Sequence, residues 1–435
     1  MPERVAPLDM AAVQVPWHFR CPISLELMRD PVTVATGQTY DRMSIESWIA
    51  AGNSTCPVTR SPLPELSLIP NHTLRRLIQD WCVAHRSLGV ERIPTPKQPA
   101  EPAAVRCLLS QAESPSSAEP ARVAALRRLR SLAGDSDGNR AVISTPENRA
   151  SLLSLSFRGA PPSSCPAGGS AVAVEALSVV AMLPLSEQDS ASVAGSAERL
   201  SWLSALLSFH PSAETRADAA AVVEAVSAGT KSPELRATIG SAGGMMEGLV
   251  RMLGRDRRST KRAIKAAIRA LFSLCLVKQN RERAAPLGAA KYLVDRVASG
   301  ELDRGDMERA LATVELLCRV DRAREALAAH GGVVAALVKV LAVKVSDRAA
   351  EHAAGTLAAL CGASEALQRE AVAGGVLTRL LLMVQSDCSE RAKRKAQLLL
   401  KLLRAAWPAG DSLAISDDFQ VHPSAGAVPT ASFLC

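Results

Sequence analysis

Between Trp17 and Arg86 the chain carries three thiols and three imidazoles: Cys21, Cys56, Cys82, His18, His72 and His85. These are the side chains with which zinc binding or nucleophilic catalysis would be done. A domain folded around two zinc ions needs four Cys or His ligands per ion, largely as C-x-x-C pairs. Six residues with no such pair fall short, so no metal site and no cofactor are expected. The nucleophile reading fails on environment. Cys21 and Cys56 each precede a proline, with no His and carboxylate arranged close in sequence. A reactive thiolate needs a cation or a helix N-terminus beside it. Small buried thiols, and no catalytic residue, are the expectation.

The elements that must position this region are short. Asp41 stands as an N-cap before a helix at Arg42–Ala50, where Ile45, Trp48 and Ile49 share a face and Gly52-Asn53 follows as a stop. A second helix fits Thr73–His85, with Leu74, Leu77, Ile78 and Trp81 as its apolar stripe. Thr33–Ala35 and Leu66–Ile69 read as strands. Residues 17–86 are thus a small α+β unit, preceded by a flexible tail at 1–16 that holds Pro2, Pro7 and Pro16. A proline-rich linker at 87–102 follows.

Beyond the linker the texture is helical throughout. Gly244, Gly288, Gly332 and Gly375 are 44, 44 and 43 residues apart, and Cys275, Cys318 and Cys361 recur at intervals of 43. Each glycine opens an apolar helix: Met245–Leu253, Ala289–Val297, Val333–Leu341 and Val376–Val384. A longer helix follows each, at Ser259–Leu276, Asp303–Arg319, Asp347–Cys361 and Ser389–Trp407. A helix-only period near 43 belongs to the armadillo and HEAT class of solenoid, whose units bury their apolar faces by stacking. The glycines fit turns that need positive φ and crossings with little room for a Cβ. Weaker copies of the longer helix at Ala121–Ala133, Ala171–Leu183 and Thr215–Ala228 bring the count to about seven units over 103–407, the first three degenerate. Equal spacing makes the three cysteines repeated core positions, not disulfide partners. Residues 408–435 lose the period and read as a disordered tail.

Composition agrees and excludes little. The 435 residues are 48% apolar but only 3% aromatic, which suits helices packed through Ala and Leu. The charge of +8 is spread at helical spacing without aromatic stacking platforms, so a basic solvated surface is expected and nucleic acid is not. Clusters such as Arg255, Arg257 and Arg258 read the same way. No apolar run lacks a charged or polar break long enough to span a bilayer; Arg379 interrupts Val376–Val384. The ten cysteines show no regular close spacing and follow no apolar leader, which points to a reducing compartment, the cytoplasm with the nucleus also open.

The motifs of the first unit run Phe19-Arg-Cys21-Pro22-Ile23-Ser-Leu-Glu26-Leu-Met28, Asp30-Pro31-Val32, Gly37-Gln-Thr39-Tyr40-Asp41-Arg42, Ile45-Glu46-Ser-Trp48, Cys56-Pro57-Val58-Thr59 and Leu68-Ile-Pro70-Asn71-His-Thr-Leu74-Arg75. Along its whole length this closely resembles the U-box family. With armadillo-like repeats behind it, the chain is similar to plant-type U-box/armadillo ubiquitin ligases. The resemblance implies a RING-type ubiquitin transferase in which packing, salt bridges and hydrogen bonds replace zinc. Candidates for that replacement are Glu26, Asp30, Asp41, Arg42 and Glu46. It implies a surface for the charged ubiquitin-conjugating enzyme at Ile23, Trp48, Pro57 and Arg60. Transfer would proceed by proximity and orientation, with no covalent ligase intermediate. Self-association through the U-box stays open. By the same resemblance the longer helices line a groove for a protein substrate, with Lys261, Arg262, Lys265, Arg269, Lys393, Arg394 and Lys395 making it basic at both ends. Asp306, Glu308 and Glu315 make it acidic between, so an extended partner with separated acidic patches is expected. The rival reading is a non-catalytic adaptor that uses only the solenoid. Intact Ile23, Pro57 and the Cys-Pro-x-Thr loop speak against it.

Overall fold

In the computed structural model, described for residues 15–86, 100–158, 170–254, 259–343 and 346–407, the chain forms two compact units, Met1–Pro99 and Ala100–Cys435. The expected tails at 1–16 and 408–435 and the linker fall almost entirely outside the described residues. The helical unit starts earlier than its expected boundary at 103. Ala100 is buried and its amide donates to Asn139 Oδ1 at 2.8 Å, and Pro102 occupies the first turn of a helix, Pro102–Glu113.

The first unit is built on a three-stranded antiparallel sheet of order β2-β1-β3, with β1 at Pro31–Thr33, β2 at Thr39–Asp41 and β3 at Ile69–Pro70. The helices are α1, Arg42–Ala50, and α2, His72–Ala84. Asn71 caps α2 by accepting from the Leu74 amide at 3.0 Å. The core is Phe19, Cys21, Met28, Val32, Tyr40, Ile45, Cys56, Leu63, Ile78 and Cys82. Of the stripe expected on α2, Ile78 is buried and Leu74 and Trp81 pack against the core, whereas Leu77 faces solvent. Arg75 and Cys82 also face inward, Arg75 to meet Asp30. The strand expected at Thr33–Ala35 begins two residues earlier, and of Leu66–Ile69 only the end pairs.

The second unit stacks seven long helices: α3, Glu119–Asp135; α4, Ala171–Val180; α5, Ala213–Gly229; α6, Lys261–Cys275; α7, Arg304–Leu317; α8, Asp347–Cys361; and α9, Glu390–Leu403. Each packs on the next along the array. Ser212, Thr260, Asp303, Ser346 and Ser389 cap α5 to α9 through the third helical amide, each worth about 1 kcal/mol. Gly244, Gly288, Gly332 and Gly375 all have φ between 74° and 82°, as the turn requires. Lack of room is a second reason only at Gly244, where a Cβ would lie 2.8 Å from Ser204 Oγ; around Gly332 and Gly375 the space is open. Cys275, Cys318 and Cys361 are free and buried, with thiols pushed by burial to about 12, 12 and 11, so they are inert packing atoms.

Each of the last four units also contains a short polar helix that the sequence pattern passes over: Pro233–Ser241, Lys278–Ala284, Asp321–Ala328 and Glu365–Ala373. One of them shows how tightly such helices seat. Asn280 is fully buried and donates to the carbonyls of Arg236 and Leu274 at 2.8 and 3.0 Å. Gly240 lies directly over its amide, so a methyl group there overlaps the side chain. Gly240→Ala is expected to destabilise the array by about 2 kcal/mol. Gly331→Ala, with open space around it, should shift stability by less than about 1 kcal/mol. Chemical denaturation of the two variants checks the contrast.

Candidate functional site

Two loops of the first unit share one backbone design. In the first, the Cys21 amide donates to Glu26 O and the Leu25 amide to Cys21 O, both at 2.8 Å. In the second, the Cys56 amide donates to Ser61 O and the Arg60 amide to Cys56 O, again at 2.8 Å. The fifth residue of each, Leu25 and Arg60, has φ of 59°, and among the described residues no other non-glycine has positive φ. The sequences match in step, Cys-Pro-Ile-Ser-Leu against Cys-Pro-Val-Thr-Arg. That repeat is the signal that sequence reasoning missed.

Each loop folds over a buried thiol caged by hydrogen-bond donors. For Cys21, burial pushes the pKa up, but the amides of Ser24, Asp41 and Ile23 and the Ser44 hydroxyl outweigh it and hold it below the usual thiol range. For Cys56, burial again opposes, yet Thr36, Thr59 and Tyr40 hydroxyls and the Thr59 amide draw it down to about 6. Tyr40 Oη lies 3.0 Å and Thr36 Oγ1 3.3 Å from Cys56 Sγ. The expectation of small buried thiols holds for packing, but not for an unperturbed environment. With 1% of Cys56 exposed, its sulfur has no path to a thioester on another protein. Among the described residues, no three His, Cys, Asp or Glu side chains converge to hold a metal.

Charge pairs hold the rest. Asp30 accepts from Arg42 Nε at 2.7 Å and from Arg75 Nη2. Asp41 Oδ1 accepts the amides of Arg29 and Asp30 at 2.7 and 2.8 Å. Glu46 joins at the edge, 3.6 Å from Arg42. Three of the five candidates for replacing zinc, Asp30, Asp41 and Arg42, are therefore in one network, with Glu46 at its rim. Among the described residues Glu26 makes no ion pair; its backbone carbonyl serves loop closure instead. Arg75 was missing from the candidates, since on a helical wheel it reads as surface.

Above this frame stand the apolar tips. Ile23 and Pro57 are half-buried at the loop ends, and Trp48 is half-buried on α1 with its Nε1 donating to Thr55 O at 2.9 Å. Arg60 is exposed at the end of the second loop. Leu25, 69% exposed, and Val58, 49% exposed, extend the apolar surface and were not foreseen. Such projecting residues on two rigid loops suit a small protein interface of few anchors.

On the long helices the expected groove cations are mostly paired across neighbours. Arg262 meets Asp218 at 2.5 Å, Lys265 meets Asp303 at 2.6 Å, and Arg269 meets Asp306 at 2.6 Å. Lys395 spans Glu315 and Glu351 at 2.8 and 3.2 Å, and Lys393 pairs with Glu390 at 3.5 Å. Among the described residues only Lys261 and Arg394 of this set lack an acidic partner. A cavity of about 710 Å³ opens over α3 to α6, with Arg127, Arg130, Glu175, Glu214 and Arg262 among its lining.

A sheet-and-helix module with two matching Cys-Pro loops, followed by stacked helical units, defines the U-box/armadillo class. The U-box domain model matches residues 15–87, and the model for the plant U-box protein ARM repeat region matches residues 104–423. The chain belongs to the plant U-box proteins with an armadillo-repeat region. It is 52% identical to U-box domain-containing protein 25 of Arabidopsis thaliana over 73% of this chain and 74% of that one. It is also homologous to E3 ubiquitin-protein ligases, such as PUB22 of the same plant, at 44% identity over 33% of each chain. The fold of a solved structure from work on cadherin and beta-catenin covers 77% of this chain and 58% of that one, with a TM-score of 0.54 at 16% identity.

The Cys56 cage has a pH signature. The folded thiol titrates at about 6 and an unfolded one at about 8.5, so between these values the unfolded chain binds the extra proton. Cys56 therefore adds stability that is complete above about pH 8.5 and lost as pH falls through about 6. The unfolding midpoint of the U-box should rise over that window, and Cys56→Ser should flatten the rise; an unchanged slope refutes the cage.

Proposed function

We propose that this protein is a ubiquitin ligase whose U-box recruits a ubiquitin-conjugating enzyme charged with ubiquitin and whose helical array binds the substrate. The observation that carries the reading is the apolar set of exposed Leu25 and Val58 with half-buried Ile23 and Pro57, on loops whose own thiols are buried. Such a surface can grip a partner but offers no nucleophile. Transfer then runs directly from the conjugating enzyme to a substrate lysine, accelerated by proximity and orientation. Arg60, held in a left-handed conformation at the rim of the second loop, is placed in this reading to donate hydrogen bonds to ubiquitin. Trp48 braces the surface from α1. The cytoplasm, with access to the nucleus, is the compartment we propose, in keeping with free thiols in both units.

For the substrate, the reading needs charges that the array does not spend on itself. Lys261 and Arg394 are the cations of the expected set left over, so they are the contacts we assign to an acidic segment of the partner, with long-range attraction that salt weakens. Lys261→Glu with Arg394→Glu should lower substrate ubiquitination and spare self-modification, since neither residue belongs to the U-box.

The ligase reading is tested by incubating the purified chain with activating enzyme, a panel of conjugating enzymes, ubiquitin and ATP. Self-modification is expected, and Ile23→Ala should reduce it at least about tenfold without unfolding the chain. Full activity of a folded Ile23→Ala protein removes the first loop from the site. Inactivity of the wild-type chain with every conjugating enzyme favours the adaptor.

A further inference from the structure

Although the two loops share a backbone, their tips are anchored differently. In the first, the amides of Ser24 and Ile23 help hold the Cys21 thiol below its usual range. The residue of the second loop that corresponds to Ile23 is Val58. Its amide turns away from Cys56 and donates to Tyr40 Oη at 3.2 Å. The Tyr40 hydroxyl in turn lies 3.0 Å from Cys56 Sγ, which completes a relay from the tip amide through the phenol to the thiol. Tyr40 itself is fully buried at the centre of β2, paired with Val32 across the sheet, so the phenol has no freedom to follow a moving loop. Burial first, and then the Cys56 contact, push its pKa up, so it stays a neutral O–H donor at every working pH. The next residue on the strand braces the other loop: the Asp41 amide donates to Cys21 Sγ at 3.3 Å. Two consecutive residues of one strand thus contact the thiols of both loops, and Tyr40 alone also reaches a tip amide.

We infer that the Tyr40 hydroxyl is a positioning group for conjugating-enzyme recruitment, fixing the Pro57-Val58 tip in register with the Ile23 tip. This deepens, and rests on, the reading of the two loops as the recruitment surface. Tyr40 touches neither the partner nor the reacting atoms in this scheme; it acts through Val58. Losing its oxygen leaves the ring packing intact and frees the tip amide to solvent, since Val58 is half exposed. The second loop then samples several heights, and only a fraction of molecules present both anchors together. Apparent affinity falls by that fraction, while the complex once formed is the same.

The test is the rate of self-ubiquitination by the full chain as a function of conjugating-enzyme concentration, for wild type, Tyr40→Phe and Thr36→Val. Tyr40→Phe is expected to raise the half-saturating concentration about fivefold to tenfold and leave the saturating rate within about twofold. A merely structural loss would instead lower the saturating rate through the unfolded fraction and leave half-saturation unchanged. Thr36→Val removes a donor from the same thiol but not from the tip amide, so its half-saturation should match wild type. Unchanged half-saturation in Tyr40→Phe overturns the inference, as does an equal shift in Thr36→Val, which would assign the effect to the thiol. Calorimetric titration with uncharged conjugating enzyme reads the same shift without transfer. A wild-type chain that binds but does not transfer therefore retires the ligase reading alone, whereas one that does not bind overturns both.

Discussion

The Asp30 carboxylate ties together the three segments on which the U-box depends. Its own residue leads into β1, Arg42 begins α1, and Arg75 sits in the first turn of α2. The side chain is largely shielded, with the Arg75 guanidinium more so, and a shielded ion pair is costly to break from one side because the remaining charge loses its partner. A unit of this size cannot be stapled by apolar burial alone. The ion pair fixes the chain crossings, and the carbonyl of Pro31 accepting the Asn71 amide at 2.8 Å holds α2 to the same strand.

The helical unit rests on a different balance. Its apolar faces are satisfied by repetition, since each long helix meets the next. Charges then decide how the units align. Asp218 and Asp306 are essentially inaccessible, yet each is met by arginines from neighbouring helices, and Ser178 donates to Asp218 at 2.5 Å. Glu315 lies against His352 at 2.7 Å on the adjacent helix and Lys395 two helices away, in space that Gly355 leaves by lacking a side chain. A buried carboxylate that finds a cation in only one register penalises sliding between units, which apolar contact alone would tolerate.

The architecture was legible because its signals are local. The glycine and cysteine periods and the Arg42–Ala50 helix were readable directly, and Asp30, Asp41 and Arg42, picked out by the family resemblance, do stand in one network. What escaped detection was set by contacts distant in sequence. Arg75 turns inward to a carboxylate 45 residues away, which its place beside the stripe of α2 did not announce. The short polar helices have too few apolar positions to show a period. The groove cations read as available because sequence shows a helix face but not the acids that the next helix brings to it. Tyr40, an aromatic in a short strand, carries no mark that its hydroxyl supports a loop tip.

The line of cross-helix ion pairs has a mechanical consequence. Lys265 with Asp303 lies at the exposed edge of the line, where mobile ions weaken attraction within roughly 10 Å. Arg269 with Asp306 and Arg262 with Asp218 have their acids sealed from solvent and are screened far less. The array thus joins its units by a salt-resistant inner seam and a salt-sensitive edge. Raised salt therefore loosens the edge pair well before the sealed ones, and the register between units outlasts the strength of their rim.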